Sequence, residues 1–139
     1  MKHLKTFEAW EMLVPKEEHF NGLTKEFIDD MFIDLHDDGF KVFTRLDKRA
    51  ITSVDKEKGQ MIIGSIPFIW VKCDKSITIE ELEEYKKSEE FSEIIDIAND
   101  RLEEFDWYIS EVQKVYGTPS GDSTMKIFMH RVEDKKHVV

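Results

Sequence analysis

Residues 24–46, TKEFIDDMFIDLHDDGFKVFTRL, hold the local signals that decide the fold. Apolar residues recur there at steps of three and four, the period of a helix buried along one side; they are Phe27, Ile28, Met31, Phe32 and Leu35. Thr24 is suited to cap this helix, and Gly39 to the left-handed conformation that ends one. From Phe40 the period changes to two, with apolar Val42 and Leu46 on the same face. The stretch therefore predicts a helix, a glycine stop and a strand that share one core.

The segment after this unit carries the signals of two further strands. Asp47-Lys48-Arg49 is interpreted as a polar turn, and residues 50–54 as a short second strand. Residues 60–73 are rich in β-branched and aromatic side chains, which predicts a third strand. Gly64 and Pro67 interrupt that run and indicate a bulge or an edge position rather than a straight central strand.

The second half of the chain predicts a broken helix followed by a β-hairpin. Thr78 and Glu81 match a capping box, and a change of apolar phase indicates that a longer helix begins at Ser88. Residues 107–116 and 124–132 alternate as two strands of a hairpin. In the first of these strands the alternation assigns Tyr108 and Val112 to one face, and Trp107 and Ile109 to the other.

The order of these elements predicts an α+β fold. It contains an antiparallel sheet of four to five strands with two main helices packed on one face, in the order α-β-β(-β)-α-β-β. The 139 residues suit one domain. We expect an N-terminal arm over residues 1–22, the domain over 23–133 and a frayed tail over 134–139.

Composition limits the classes of function. The net charge of −10 disfavours direct binding to nucleic acid, because phosphates attract the opposite charge. Cys73 is the single cysteine, which excludes an intramolecular disulfide and suits a cytoplasmic location. The first residues, MKHLKTFEAWE, carry acids where a secretory signal has an apolar run, and no run is long enough to cross a membrane.

Motifs for catalysis or metal binding are weak. His36-Asp37-Asp38 are neighbours at a predicted helix end, where adjacent side chains do not converge on one ion, so we expect no metal and no cofactor. Cys73 could act as a nucleophile only beside a base, and His130 is the histidine that lies within a predicted strand. A small enzyme with a site at strand ends around Cys73 and His130 stays open as an alternative.

The most unusual feature is the acidity of residues 78–106, which hold twelve acidic and three basic residues, a net charge of −9. Because the apolar stripe of these helices faces inward, the acids must line the outer face. A solvated helix face is the simpler interpretation. The functional alternative is a negative surface that binds a basic protein partner, carried by Glu80, Glu84, Glu90, Glu93, Asp96, Asp100 and Glu104.

Two segments resemble small uncharacterised proteins of T-even-like and marine tailed bacteriophages. They are the opening MKHLKTFEAWE and residues 27–42, which follow a helix-Asp-Gly-Phe-strand pattern. The resemblance implies a phage origin and no particular activity. In some packaged phage proteins such a leader targets the capsid and is cut after Glu in a Leu/Ile-x-Glu context. Ala9-Trp10-Glu11 departs from that pattern.

These observations leave three hypotheses. The first is a non-enzymatic phage accessory protein, in the host cytoplasm, that binds a host or phage protein through its acidic helix face. The second is the small enzyme around Cys73 and His130, and the third is a packaged virion or structural protein. A homodimer is compatible with each of them.

Overall fold

The computed structural model describes residues 17–55, 59–115, 117 and 121–137. Its α-helices are α1 (Lys25–Met31), α2 (Ile33–Asp37), α3 (Ile79–Lys86) and α4 (Glu89–Glu103). Its strands are β1 (Lys41–Asp55), β2 (Gln60–Lys75), β3 (Trp107–Val115) and β4 (Ser123–Arg131). Short 3-10 helices span Glu17–Phe20 and Val132–His137.

The four strands form one antiparallel sheet in the order β1-β2-β4-β3. The helices pack on one face, which confirms the predicted α+β class. The core lies between the two layers and includes fully buried side chains from both: Ile28, Phe32, Leu35, Leu82, Leu102, Ile69, Val71, Met125, Ile127 and Met129. We call the opposite side of the sheet the open sheet face.

The opening unit folds largely as its sequence predicts. The Thr24 hydroxyl accepts a hydrogen bond from the Phe27 backbone N–H, and Gly39 adopts a φ of +92°. The predicted single helix is divided into α1 and α2 at Phe32, whose φ of −106° leaves the helical region while its side chain is fully buried. The strand face that carries Val42 also carries Thr44, which is buried and donates a hydrogen bond to Asp29 Oδ1 at 2.6 Å.

The polar turn predicted at Asp47-Lys48-Arg49 is wrong. β1 continues through these residues and pairs with β2 without a register shift, from Lys41 opposite Asp74 to Asp55 opposite Gln60. Hydrogen bonds between paired strands satisfy the backbone N–H and C=O groups of polar and apolar residues alike, so a run of polar residues does not by itself indicate a turn.

The bulge predicted in the second long strand is also absent, since the register of β2 against β1 is continuous. β4 pairs with β2 only from Phe68 to Lys75, so this part is central. Pro67 lies just before it, where β1 is the one strand of the described residues that pairs with β2, so this end of β2 has the edge position that was predicted as the alternative to a bulge. A proline is tolerated there because its missing N–H removes no bond from a second ladder.

The helices of the second half are confirmed. Thr78 and Glu81 form the capping box of α3, and Ser88 accepts a bond from the Phe91 N–H at the start of α4. The predicted alternation of the following strand holds from Trp107 to Ile109, with Tyr108 on the opposite face. It is wrong at Val112, because a register shift between Ile109 and Glu111 inserts Ser110 as an extra residue. Val112 is thereby returned to the core face together with Ile109.

The ends of the domain extend beyond their predicted limits. Phe20, assigned to the arm, is fully buried and stacks on Trp107 with ring centroids 5.8 Å apart. Residues 134–137 were expected to fray, but they belong to a 3-10 helix in which Asp134 is buried and accepts two hydrogen bonds from Arg131. The arm over residues 1–16 and the last two residues lie outside the described part of the chain.

Candidate functional site

The acidic helices present the predicted carboxylates to solvent. α3, α4 and the residue after α4 hold all seven in exposed positions: Glu80, Glu84, Glu90, Glu93, Asp96, Asp100 and Glu104. Leu82, Phe91 and Leu102, which alternate with them at helical spacing, are buried. Amphipathic spacing alone therefore explains their exposure, and we call them the acidic helical surface.

Part of this surface joins a second acidic cluster from the first half of the chain. A groove of about 220 Å³ lies between α2 and α4. It is lined by Asp34, Asp37, Asp38, Glu90, Glu93, Ile94 and Ile97. The Ile97 side chain is 58% exposed, so the groove combines carboxylates with accessible apolar surface. Sequence reasoning did not bring these two clusters together, because their helices are about fifty residues apart in the chain.

Carboxylates in this groove repel one another. A hydrogen bond to Asp38 and the negative charge of that residue raise the pKa of Glu90 above its ordinary value; Asp34 adds to the effect and Lys75 opposes it. Asp38 also accepts a hydrogen bond from the Tyr85 hydroxyl at 2.7 Å. Burial and this bond raise the pKa of Tyr85, so its phenol stays protonated.

Glu90→Gln is expected to raise the melting temperature slightly at pH 7. A carboxyl whose pKa is higher in the folded than in the unfolded protein destabilises the fold once it ionises. That loss fades as the pH falls toward the unfolded pKa of about 4.3. The gain should therefore disappear near about pH 3.5, as measured by thermal unfolding. Asp96→Asn, on the exposed side of α4 outside the groove, is the control; an equal gain there would contradict the repulsion.

The structure separates the two residues of the enzyme hypothesis. Cys73 lies opposite Met125 on the core face, whereas His130 lies on the open sheet face, opposite Phe68 and Tyr108. Met125, the partner of Cys73, and His130 are also five residues apart on β4, which corresponds to about 17 Å along the strand. Cys73 is fully buried, and burial raises the pKa of its thiol to about 12, so the thiol stays protonated. The two side chains do not share a site.

His130 instead belongs to a shallow pocket on the open sheet face. The pocket measures about 610 Å³ and is lined by Arg49, Phe68, Tyr108, Ser110, Glu111, Gln113, Phe128 and His130. The His130 ring stacks on Phe68 at 5.9 Å, and its Nδ1 is 2.7 Å from the Ser110 hydroxyl. Burial, with a smaller contribution from Arg49, lowers the pKa of His130 and favours the neutral imidazole. These contacts fix the ring as part of the sheet surface.

Within the described ranges, no group of three or more His, Cys, Asp or Glu side chains is arranged to hold a metal ion. His36, Asp37 and Asp38, considered as a metal motif, contribute only the two aspartates to the groove. No helix in the described residues is long and apolar enough to cross a membrane.

Comparison with known proteins found no matching family model, no matching curated protein and no matching solved structure. The chemistry of the acidic helical surface and of the open sheet face is therefore what bears on function.

Proposed function

We propose that this chain is a non-enzymatic acidic binding protein whose acidic helical surface binds a basic segment of a protein partner. The observation that carries the proposal is the groove between α2 and α4. It gathers five carboxylates around the accessible side chain of Ile97. A basic amphipathic segment offers both complements, since its cations match the carboxylates and its apolar side chains match the isoleucine.

The raised pKa of Glu90 supports the same partner chemistry. Negative charges held close together are unfavourable in the free protein, and a bound cation relieves that repulsion. Outside the groove, Ile33 is a second exposed apolar side chain, 51% accessible, and it is adjacent in sequence to Asp34. An apolar contribution to binding separates this proposal from simple solvation of the helices, under which removal of the Ile97 side chain would leave peptide binding unchanged.

The test uses a fluorescein-labelled amphipathic lysine-leucine peptide as the probe, with fluorescence anisotropy as the measurement. Surface charge pairs contribute about 0.2–1 kcal/mol each, so the double change Glu90→Gln and Glu93→Gln should weaken binding by about 2- to 30-fold. Ile97→Ser should weaken it as well.

The control is the pair Glu26→Gln and Glu133→Gln, which removes the same charge from exposed residues outside the groove. A matched glutamate-leucine peptide should not bind. Equal weakening by the control pair would show that net charge alone attracts the peptide, and it would contradict the proposal.

The phage origin remains a prediction from residues 1–11 and 27–42, and so do the host-cytoplasm location and the packaged virion role. An accessory protein of a phage fits the proposal because an acidic face can bind a basic host or phage protein. The enzyme hypothesis loses its specific support, since Cys73 and His130 lie on opposite faces of the sheet.

A further inference from the structure

The open sheet face has a chemistry opposite to that of the helices. Alternation along β2 points Ile69, Val71 and Cys73 into the core, so Phe68, Trp70 and Lys72 point to the open sheet face. The corresponding residues of β4 are Lys126, Phe128 and His130, and β1 contributes Phe43, which is 53% exposed. Five aromatic rings share this face: Phe43, Phe68, Trp70, Tyr108 and Phe128. The His130 imidazole lies among them but is buried, with the residue 6% exposed, so it supports the neighbouring rings rather than offering a free stacking surface.

Strand register arranges these side chains in three rows that cross the sheet. One row is Phe43, Lys72, Lys126 and Gln113. The next is Arg45, Trp70, Phe128 and Glu111, and the third is Asp47, Phe68, His130 and Tyr108. Neighbouring rows are about 7 Å apart, two residues along a strand. A row with two lysines thus runs beside two rows of rings.

Contacts within and between the rows bring cations and rings together. The Trp70 ring has the Arg45 guanidinium 5.8 Å from its centroid and the Lys126 ammonium 5.0 Å from it. Phe68 stacks on Phe128 at 6.5 Å as well as on His130. Of the acids in the three rows, Asp47 and Glu111 lie on the two edge strands. On the central strand β2, Asp74 follows Lys72 on the same face, and its carboxylate lies 3.6 Å from the Lys72 ammonium. A phosphate bound at Lys72 would therefore replace Asp74 as the partner of that ammonium.

We propose that the open sheet face binds single-stranded nucleic acid, with phosphates along the Lys72–Lys126 row and bases over the aromatic rows. Unpaired bases stack on aromatic rings while a basic track follows the backbone, and this pairing of features is what such a strand recognises. The net charge of the chain argues against nucleic acid only if its charges are evenly spread. Residues 78–106 carry −9 of the −10, and their carboxylates lie on the helices, on the other side of the sheet.

The test is fluorescence anisotropy of a labelled thymidine 12-mer, with a uridine 12-mer to distinguish DNA from RNA. Each phosphate contact on a single strand contributes about 0.7 to the slope of log affinity against log salt. Lys72→Gln with Lys126→Gln should therefore reduce the slope by about 1.4. The control is Lys86→Gln with Lys87→Gln on the helical side, which should leave the slope unchanged.

A second variant tests the stacking rows without changing charge. Trp70→Leu keeps an apolar side chain but removes the ring, and loss of one stacked base should weaken binding by about 5- to 150-fold. Circular dichroism shows whether Trp70→Leu still folds. If it folds poorly, the lysine variants, which change half-exposed positions, still test the proposal.

Several results would overturn the proposal. The first is no change in anisotropy at about 100 µM protein, the weak limit of non-specific binding. The second is equal or tighter binding to a duplex of the same length. The third is a change of salt slope in the Lys86 and Lys87 control pair equal to that in the Lys72 and Lys126 pair. A dimer that Trp70→Leu dissociates, with no oligonucleotide bound, would assign this face to a second copy of the chain. None of these results bears on the basic-peptide test, which uses the opposite surface.

Discussion

Phe20→Ala is expected to lower the free energy of unfolding by about 3–5 kcal/mol, the usual cost of removing a buried aromatic ring. The Phe20 side chain is fully buried, and its ring lies nearly parallel to that of Trp107, with an interplanar angle of 13°. Its removal leaves a cavity between the short 3-10 helix and β3. Urea unfolding followed by circular dichroism measures the change.

The matched control for this variant is Ile33→Ala, which removes an apolar side chain that is 51% exposed. Its effect should stay within about 0.5 kcal/mol. The sequence assigned Phe20 to an N-terminal arm, and an arm that is detached from the domain would predict no effect for either variant. Equal stabilities for the Phe20 variant and the unmodified protein would restore the arm and contradict the packing described above.

Leu102→Ala is expected to cost about 2–5 kcal/mol, because the side chain is fully buried between α4 and the sheet. Ile97, on the same helix, is 58% exposed. Ile97→Ala should therefore change the stability by less than about 0.5 kcal/mol. The same urea experiment compares the two variants, and a larger loss for the Ile97 variant would reverse the assigned phase of α4.

Features that depend on residues close in the chain were predictable. The caps at Thr24, Thr78 and Ser88 join groups three residues apart, and Gly39 depends only on its own φ. Each of these signals works without knowledge of the rest of the fold. The outward position of the acidic residues followed in the same way, from the helical period of the buried stripe.

Features that depend on a distant partner were not predictable. The segment around Lys48 is a strand because β2 pairs with it, and the extra residue Ser110 is visible only in its register with β4. Phe20 is buried because Trp107, 87 positions later, supplies its neighbour. Local pattern carries none of this information, since cross-strand and long-range contacts decide it.

The candidate surfaces divide in the same way. The seven predicted carboxylates are exposed as expected, but their convergence with Asp34, Asp37 and Asp38 required the packing of α2 beside α4. The rows of side chains on the open sheet face could be assigned only from the register of all four strands. The net charge of the whole chain did not reveal that acidic and basic residues lie on different sides of the sheet. It adds the acids of the helical layer to the bases of the open sheet face.

We claim above all that the helical layer and the open sheet face, which lie on opposite sides of the sheet, carry opposite binding chemistries. The most direct measurement is two-dimensional NMR of the isotope-labelled protein, titrated separately with the lysine-leucine peptide and the thymidine 12-mer. The peptide should shift amide signals of α2 and α4, and the oligonucleotide should shift those around Lys72, Trp70 and Lys126. Overlapping sets of shifted signals, or no shifts with either probe, would contradict the claim.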